Sequence, residues 1–175
     1  RAGADSELHG SSVAMRQLRQ LLKKIAPANS RVLISGDMGT GKELTARMLH
    51  ALSTRAEGPF VTLSAATMAP ERMEEELFGI EAAPGIEQRV GALEEAHGGT
   101  LFIDEVADMP LVTQGKVLRV LLDQTFQRVG GAKKVRVDVR IVSSTSRDLV
   151  SLIAENKFRE DLYHRLGVVL VRVPS

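Results

Sequence analysis

The sequence predicts an α/β fold, a parallel sheet sandwiched by helices. Three observations predict it. Helix-period segments alternate with short apolar runs along most of the chain, the pattern of repeated strand–helix–strand units. The apolar run at residues 31–35 passes directly into Gly36-Asp37-Met38-Gly39-Thr40-Gly41-Lys42-Glu43, a glycine-rich turn ending in Gly-Lys. A second apolar run, residues 100–103, ends in the adjacent carboxylates Asp104 and Glu105. In open α/β sheets, ligands bind at that C-terminal strand edge.

The elements follow in order. Ser11-Ser12 is a cap for a first helix over 13–26, which stops at Pro27. Residues 31–35 make the first strand, and a helix runs from 41 to about 52. Gly58-Pro59 opens a strand over 60–63, and 71–78 is helical. Residues 79–88, with Pro84 and Gly85, read as an irregular, mobile surface connection. A short helix over 90–97 leads through Gly98-Gly99 to the strand at 100–103. Pro110 opens a helix to about 124, because proline suits the first helical turn. Residues 126–129 and 133–137 flank Gly130-Gly131 and read as a hairpin with a two-residue turn. A strand at 139–144, helices at 149–154 and 159–166, and a last strand at 168–173 complete the pattern.

Composition narrows the function. At 175 residues this is one domain or most of one. A net charge of +1 gives no basic field to draw the chain to nucleic acid or a membrane surface. Aromatic content of 3% argues against base-stacking platforms. With no cysteine there is neither a disulfide nor a thiolate metal site, and His9, His50, His97 and His164 lack ligand spacing. No apolar run approaches the ~20 residues of a membrane span, and no signal peptide is recognisable. A cytoplasmic protein with no membrane partner is expected. The opening and closing segments suggest a domain excised from a longer protein, with residues 1–9 a linker remnant and 10–175 the folded unit.

The glycine-rich turn fits the phosphate-binding pattern G-x4-G-K-[ST] except at Glu43. Gly36, Gly39 and Gly41 would let the backbone wrap a polyphosphate. Amide N–H groups of Asp37, Met38 and Thr40, and those at the start of the next helix near Leu44, would face its oxygens. Lys42 supplies a point charge for the β- and γ-phosphates. Asp104 is the candidate Mg²⁺ ligand, directly or through water, and Glu105 the group that activates an attacking water. A glycine turn can be a plain tight connection, and paired carboxylates a solvated strand end. Finding both, in this order, favours an ATP or ADP site with Mg²⁺.

Six segments carry a resemblance: G-D-M-G-T-G-K-E-L-T-A-R, E-L-F-G, G-G-T-L-F-I-D-E, F-Q-R-V-G-G, V-D-V-R-I and F-R-E-D-L-Y-H-R-L. Together they resemble the central AAA+ ATPase domain of bacterial enhancer-binding proteins, the activators of σ54 RNA polymerase. The likeness extends from about Leu8 to Pro174, and in that family Glu after the lysine is usual. It implies a P-loop NTPase large subdomain, with the small helical lid absent from this chain. It also implies that Arg159 and Arg165 reach into a neighbouring subunit's ATP, within a ring formed by the full-length protein. An arginine given in trans makes hydrolysis depend on assembly, so ATPase activity of the fragment is expected to be weak. The alternative is that these arginines form surface pairs with Glu160 and Asp161. Ser146 stands where the family has a polar sensor.

Two departures matter. Where the family carries a loop with the signature G-A-F-T-G-A, its contact to σ54, this chain reads I-E-A-A-P-G-I-E-Q over residues 80–88 and has neither the Phe nor the Thr. Ser64 replaces an Asn that in the family restrains the catalytic glutamate. The shortened loop resembles NtrX-type response regulators of two-component systems tied to nitrogen and redox control. That resemblance implies DNA binding through a helix-turn-helix domain and a sensor kinase acting on a receiver domain, neither within this chain. Contact with σ54 is not expected. The competing readings are a working σ54-dependent activator with a variant loop, an unrelated AAA+ machine, and a structural domain without ATPase function.

Overall fold

The apolar runs form one sheet. The computed structural model describes residues 12–175, so the linker expected over 1–9 and the candidate cap Ser11 lie outside them. The strands are β1 (Val32–Ser35), β2 (Phe60–Ser64), β3 (Thr100–Asp104), β4 (Thr125–Gln127), β5 (Lys134–Arg136), β6 (Arg140–Thr145) and β7 (Val169–Arg172). The α-helices are α1 (Val13–Ile25), α2 (Lys42–Ala51), α3 (Pro70–Phe78), α4 (Ala92–Glu95), α5 (Leu111–Asp123), α6 (Leu149–Ala154) and α7 (Glu160–Leu166). Five strands pair in parallel in the order β2-β3-β6-β1-β7, and β4 with β5 makes a separate antiparallel pair.

The sheet is covered on both faces, which is why its strands read as unbroken apolar runs. Side chains alternate along β3. Leu101 and Ile103 join Met73, Leu77, Val117 and Leu162 in the core under α3, α5 and α7. Phe102 faces the other way, into the core under α1 and α2 with Leu22, Ala46 and Leu49. Local signals set the helix ends. Ser12 Oγ accepts from Met15 N at 3.1 Å, Pro70 sits in the first turn of α3, and Asp148 caps α6. Arg140, only 3% exposed, donates to the carbonyls of Ser30, Ala26 and Ile25 and so ties down the C-terminal end of α1. Burial, and then the nearby Arg55 charge, push its pKa down from the usual guanidinium value. Among the described residues no helix is long and apolar enough to cross a membrane.

Three expectations need correction. The hairpin after α5 does not turn over two residues. Its strands stop at Gln127 and restart at Lys134, because Val129 leaves the pair to bridge Ile80 in parallel. The stretch 79–88 is not irregular. Ile80 pairs with Arg89 through two hydrogen bonds of 2.9 Å, and Ala83 pairs with Ile86 at 3.0 and 2.8 Å across the Pro84-Gly85 turn. Val129 N donates to Gly79 O and Glu81 N to Val129 O, each at 2.9 Å, so this small hairpin is stitched to the segment between β4 and β5. Lastly, the helix foreseen over 90–97 is shortened to Ala92–Glu95 behind Gly91.

Candidate functional site

The glycine loop leaves β1 between two strands that fix it. Gly36 N donates to Thr145 O of β6 at 3.3 Å, and Val173 N, just past β7, donates to Ser35 O at 2.8 Å. Gly39 and Gly41 have φ of +80° and +87°, the left-handed region where glycine carries no penalty. Thr40 closes the turn on Asp37 O, through Oγ1 at 2.7 Å and N at 3.3 Å. The first bond of α2 runs from Thr45 N to Gly41 O at 2.9 Å. The N–H groups of Lys42, Glu43 and Leu44 therefore lack intrahelical partners, at the positive end of the helix dipole. The Lys42 side chain is buried, and its Nζ donates to Gly36 O at 2.9 Å and Asp37 O at 2.8 Å. The loop's own carbonyls thus hold the ammonium beside the turn. Glu43 pairs along the helix surface with Arg47 at 3.0 Å, and the Arg47 guanidinium lies over the Phe60 ring.

A cavity of about 270 Å³ brings Met38, Gly39, Gly41, Lys42, Glu43 and Leu44 together with Asp104 and Glu105. Gly36 and Asp37 face a second cleft of about 450 Å³, shared with Ser146 and the start of α6. Glu105 has φ 57° and ψ 60°, a left-handed conformation unusual for a residue with a side chain. Its carboxylate is gripped at both oxygens by one residue: Ser146 N donates to Oε1 at 2.7 Å and Ser146 Oγ to Oε2 at 2.6 Å. Ser144 Oγ donates to Asp104 Oδ1 at 2.6 Å and accepts from Glu105 N at 3.2 Å. Ser64 sits in register with Asp104 at the end of β2. Among the described residues, the recorded hydrogen bonds to the Glu105 carboxylate come from Ser146 and not from Ser64.

Arg159 and Arg165 line neither cavity. Arg159 stands before α7 and makes a two-pronged bond to Asp161, Nε to Oδ1 at 3.0 Å and Nη2 to Oδ2 at 2.9 Å. The hydrogen bond from Asp161, then its charge, raises the Arg159 pKa. The surface pair weighed from the sequence is therefore present for Arg159. Arg165 is exposed and near enough to Arg31 to depress that residue's pKa, an effect second to desolvation. Sequence reasoning missed Ser144 and the grip of Ser146 on Glu105. The signal was there: Ser143-Ser144-Thr145-Ser146 sets four hydroxyl residues in a row at a strand end, opposite two carboxylates.

An inner parallel strand that ends in this loop, next to carboxylates at the same sheet edge, defines a P-loop NTPase domain. Its fold matches that of the P-loop NTPase domain of the sigma-54 transport activator from E. coli, with a TM-score of 0.65 at 21% identity over 95% of this chain and 98% of that one. The chain belongs to the Sigma-54 interaction domain family, whose profile matches residues 8–172. It is 62% identical to the nitrogen assimilation regulatory protein NtrX of Azorhizobium caulinodans, over 94% of this chain and 36% of that protein. Crystal structures of Brucella abortus NtrX in complex with ADP and with ATP superpose with TM-scores of 0.91 and 0.90 at 63% identity, covering 95% of this chain and 36% of those. The chain thus spans about a third of the length of these relatives.

Proposed function

We propose that the chain is an adenine-nucleotide-binding AAA+ module, with the phosphates of ATP or ADP held by residues 36–44. The observation that carries this reading is the cavity in which Met38, Gly39 and Gly41 of the glycine loop, the start of α2, Lys42 and both carboxylates meet. The ADP and ATP complexes of the Brucella relative support it. In this reading the loop N–H groups and the helix dipole bind the phosphates, and Lys42 exchanges its carbonyl partners for phosphate oxygens. Among the described residues no cluster of three or more metal-ligating side chains exists. The two carboxylates at the cavity, Asp104 and Glu105, fit Mg²⁺, which usually takes one or two carboxylates and completes its shell with phosphates and water. Asp104 would be the ligand, and the bound ion would neutralise phosphate charge. Glu105 would orient and deprotonate a water once Ser146 releases it. Ser146 thus serves as its restraint as well as its sensor.

In the longer protein, this module would be the ATP-binding subdomain, residues 10–175, of a cytoplasmic NtrX-type response regulator. A receiver domain would answer to a sensor kinase and a helix-turn-helix domain would bind DNA. Nucleotide would favour ring assembly, with Arg159 and Arg165 completing a neighbour's site, so hydrolysis by a lone chain would be slow. Regulation would act through promoter occupancy without σ54 contact, since residues 79–88 lack the aromatic anchor an interface hot spot needs. Titration with a fluorescent ADP analogue tests the core of the proposal. Lys42→Ala should lose binding while remaining folded, and unchanged affinity in that variant rejects the site.

One observation favours a second reading, a σ54-dependent activator with a variant contact loop. Ile86, beside the Pro84-Gly85 turn, is 51% exposed and offers an apolar tip. A pull-down of σ54 with the full-length protein and ADP–metal fluoride separates the two. Capture that depends on nucleotide and vanishes when 79–88 is replaced establishes the activator; no capture supports regulation without σ54.

A further inference from the structure

Asp104 and Glu105 leave β3 together, yet the groups that orient them stand on β6. Ser146 takes the Glu105 carboxylate. Ser144, fully buried, takes the other two polar groups at this corner: its Oγ donates to Asp104 Oδ1 at 2.6 Å and accepts from Glu105 N at 3.2 Å. One hydroxyl supplies one donor and two acceptor sites, so Ser144 spends its donor on the carboxylate and an acceptor on the peptide. The carboxylate keeps its second oxygen for another partner and is fixed in rotation about its Cβ–Cγ bond. The peptide bond into Glu105 is held where the chain takes its left-handed turn, φ 57°.

We propose that Ser144 is a positioning residue for the nucleotide-bound divalent cation, presenting the Asp104 carboxylate to it and holding the turn that carries Glu105. The inference rests on the nucleotide reading given above. Groups that hydrogen-bond a metal's ligand set its orientation and basicity, and losing one commonly weakens metal affinity 10- to 100-fold. A bland alternative is that Ser144 is a buried hydroxyl satisfied by whatever lies nearest. The neighbouring residue supplies the control. Ser143 is also fully buried on β6, and its Oγ has no hydrogen-bond partner. Being one residue away on a strand, it faces the opposite side of the sheet. The two serines match in size and burial and differ in contact with Asp104.

The test measures two affinities of the whole chain separately: ADP in EDTA by a fluorescent analogue, and Mn²⁺ for the ADP complex by electron paramagnetic resonance. Ser144→Ala is expected to bind ADP in EDTA as the wild type does, and to bind Mn²⁺ in the ADP complex about tenfold or more weakly. Ser144→Thr, which keeps the hydroxyl, should recover most of the loss, and Ser143→Ala should match the wild type in both. If Ser144→Ala folds poorly, Ser144→Cys, close in volume but a weak donor, must show the same selective loss of Mn²⁺. Unchanged Mn²⁺ affinity in the alanine or cysteine variant overturns the inference, as does an equal loss in Ser143→Ala. A wild-type chain that binds ADP neither in EDTA nor with Mn²⁺ overturns the nucleotide reading itself, a result distinct from either.

Discussion

Two loops of this chain depend on glycine, for opposite reasons. In the phosphate loop, Gly39 has φ +80°, and a Cβ built on it meets nothing within 4 Å. At the neck of the 79–91 loop, Gly79 has φ +82°, and a Cβ there falls 2.5 Å from Arg89 O and 2.9 Å from Gly91 N. Gly91 returns the contact, its Cβ position lying 2.4 Å from Gly79 N. One loop needs glycine so that something else can come close, while the other needs it because its own backbones already touch. The polar groups follow suit. The first N–H groups of α2 have no helical partner, whereas Gly79 O, Ile80 N, Glu81 N, Ala83 N and Arg89 N are all bonded within the molecule. The contrast lies between Gly39 and Gly41, which leave open space beside the backbone, and Gly79 and Gly91, which do not; Gly36, whose Cβ would meet Thr40 Oγ1 at 2.8 Å, is a packing glycine like the second pair.

The contrast can be broken by three measurements. Gly79→Ala should cost the most, about 3 kcal/mol or more, since strain at this φ adds to a backbone collision. Its denaturation midpoint should fall far below that of the matching Gly39 variant, and equal midpoints would end the comparison. Arg128→Ala comes next. Its guanidinium joins Glu94 at 3.0 and 2.9 Å and Glu81 at 3.4 Å, beside the Ile80–Val129 bridge. A loss of about 1 kcal/mol is expected, with faster hydrogen exchange at the Glu81 and Val129 amides. Exchange that stays slow would show that the backbone bridge alone holds the loop. Gly39→Ala should cost stability least, about 1 kcal/mol for the left-handed turn. Yet it should weaken ADP binding about tenfold or more, which corresponds to about 1.4 kcal/mol or more. Full ADP affinity in this variant would mean that the open space beside Gly39 is not where phosphate lies.

Much of this fold was legible because its signals are local. The run into Gly36, the pair after Ile103 and the proline before Leu111 each declare an element within a few residues. What stayed hidden depends on partners distant in sequence. Val129 abandons its hairpin for Ile80, a residue no turn pattern connects to it. The edge position of β7, which leaves Leu170 59% exposed, follows from strand order, and periodicity carries no strand order. At the site, the phosphate loop and both carboxylates were recognisable by spacing, but the side chains that restrain them were not. Lys42 turned onto its own loop, Glu105 gripped by Ser146 and Arg159 bound to Asp161 are choices among competing partners, and packing makes them.

The position of β1 also bears on how this protein is made. The strand that leads into the phosphate loop lies between β6 and β7, the last two strands of the sheet to be synthesised. At ordinary elongation rates, on the order of ten seconds separate translation of Gly36 from that of Val173. Until residues 140–145 are made, β1 has no strand to pair with, since β2 and β3 pair on the far side of β6. Leu18, Leu22, Ala46 and Leu49, which share a core with Val32 and Ile34, nevertheless lie close to it in sequence. An early-made motif is therefore seated late: its anchor from Gly36 N to Thr145 O must wait for β6, and that from Val173 N to Ser35 O for the end of β7.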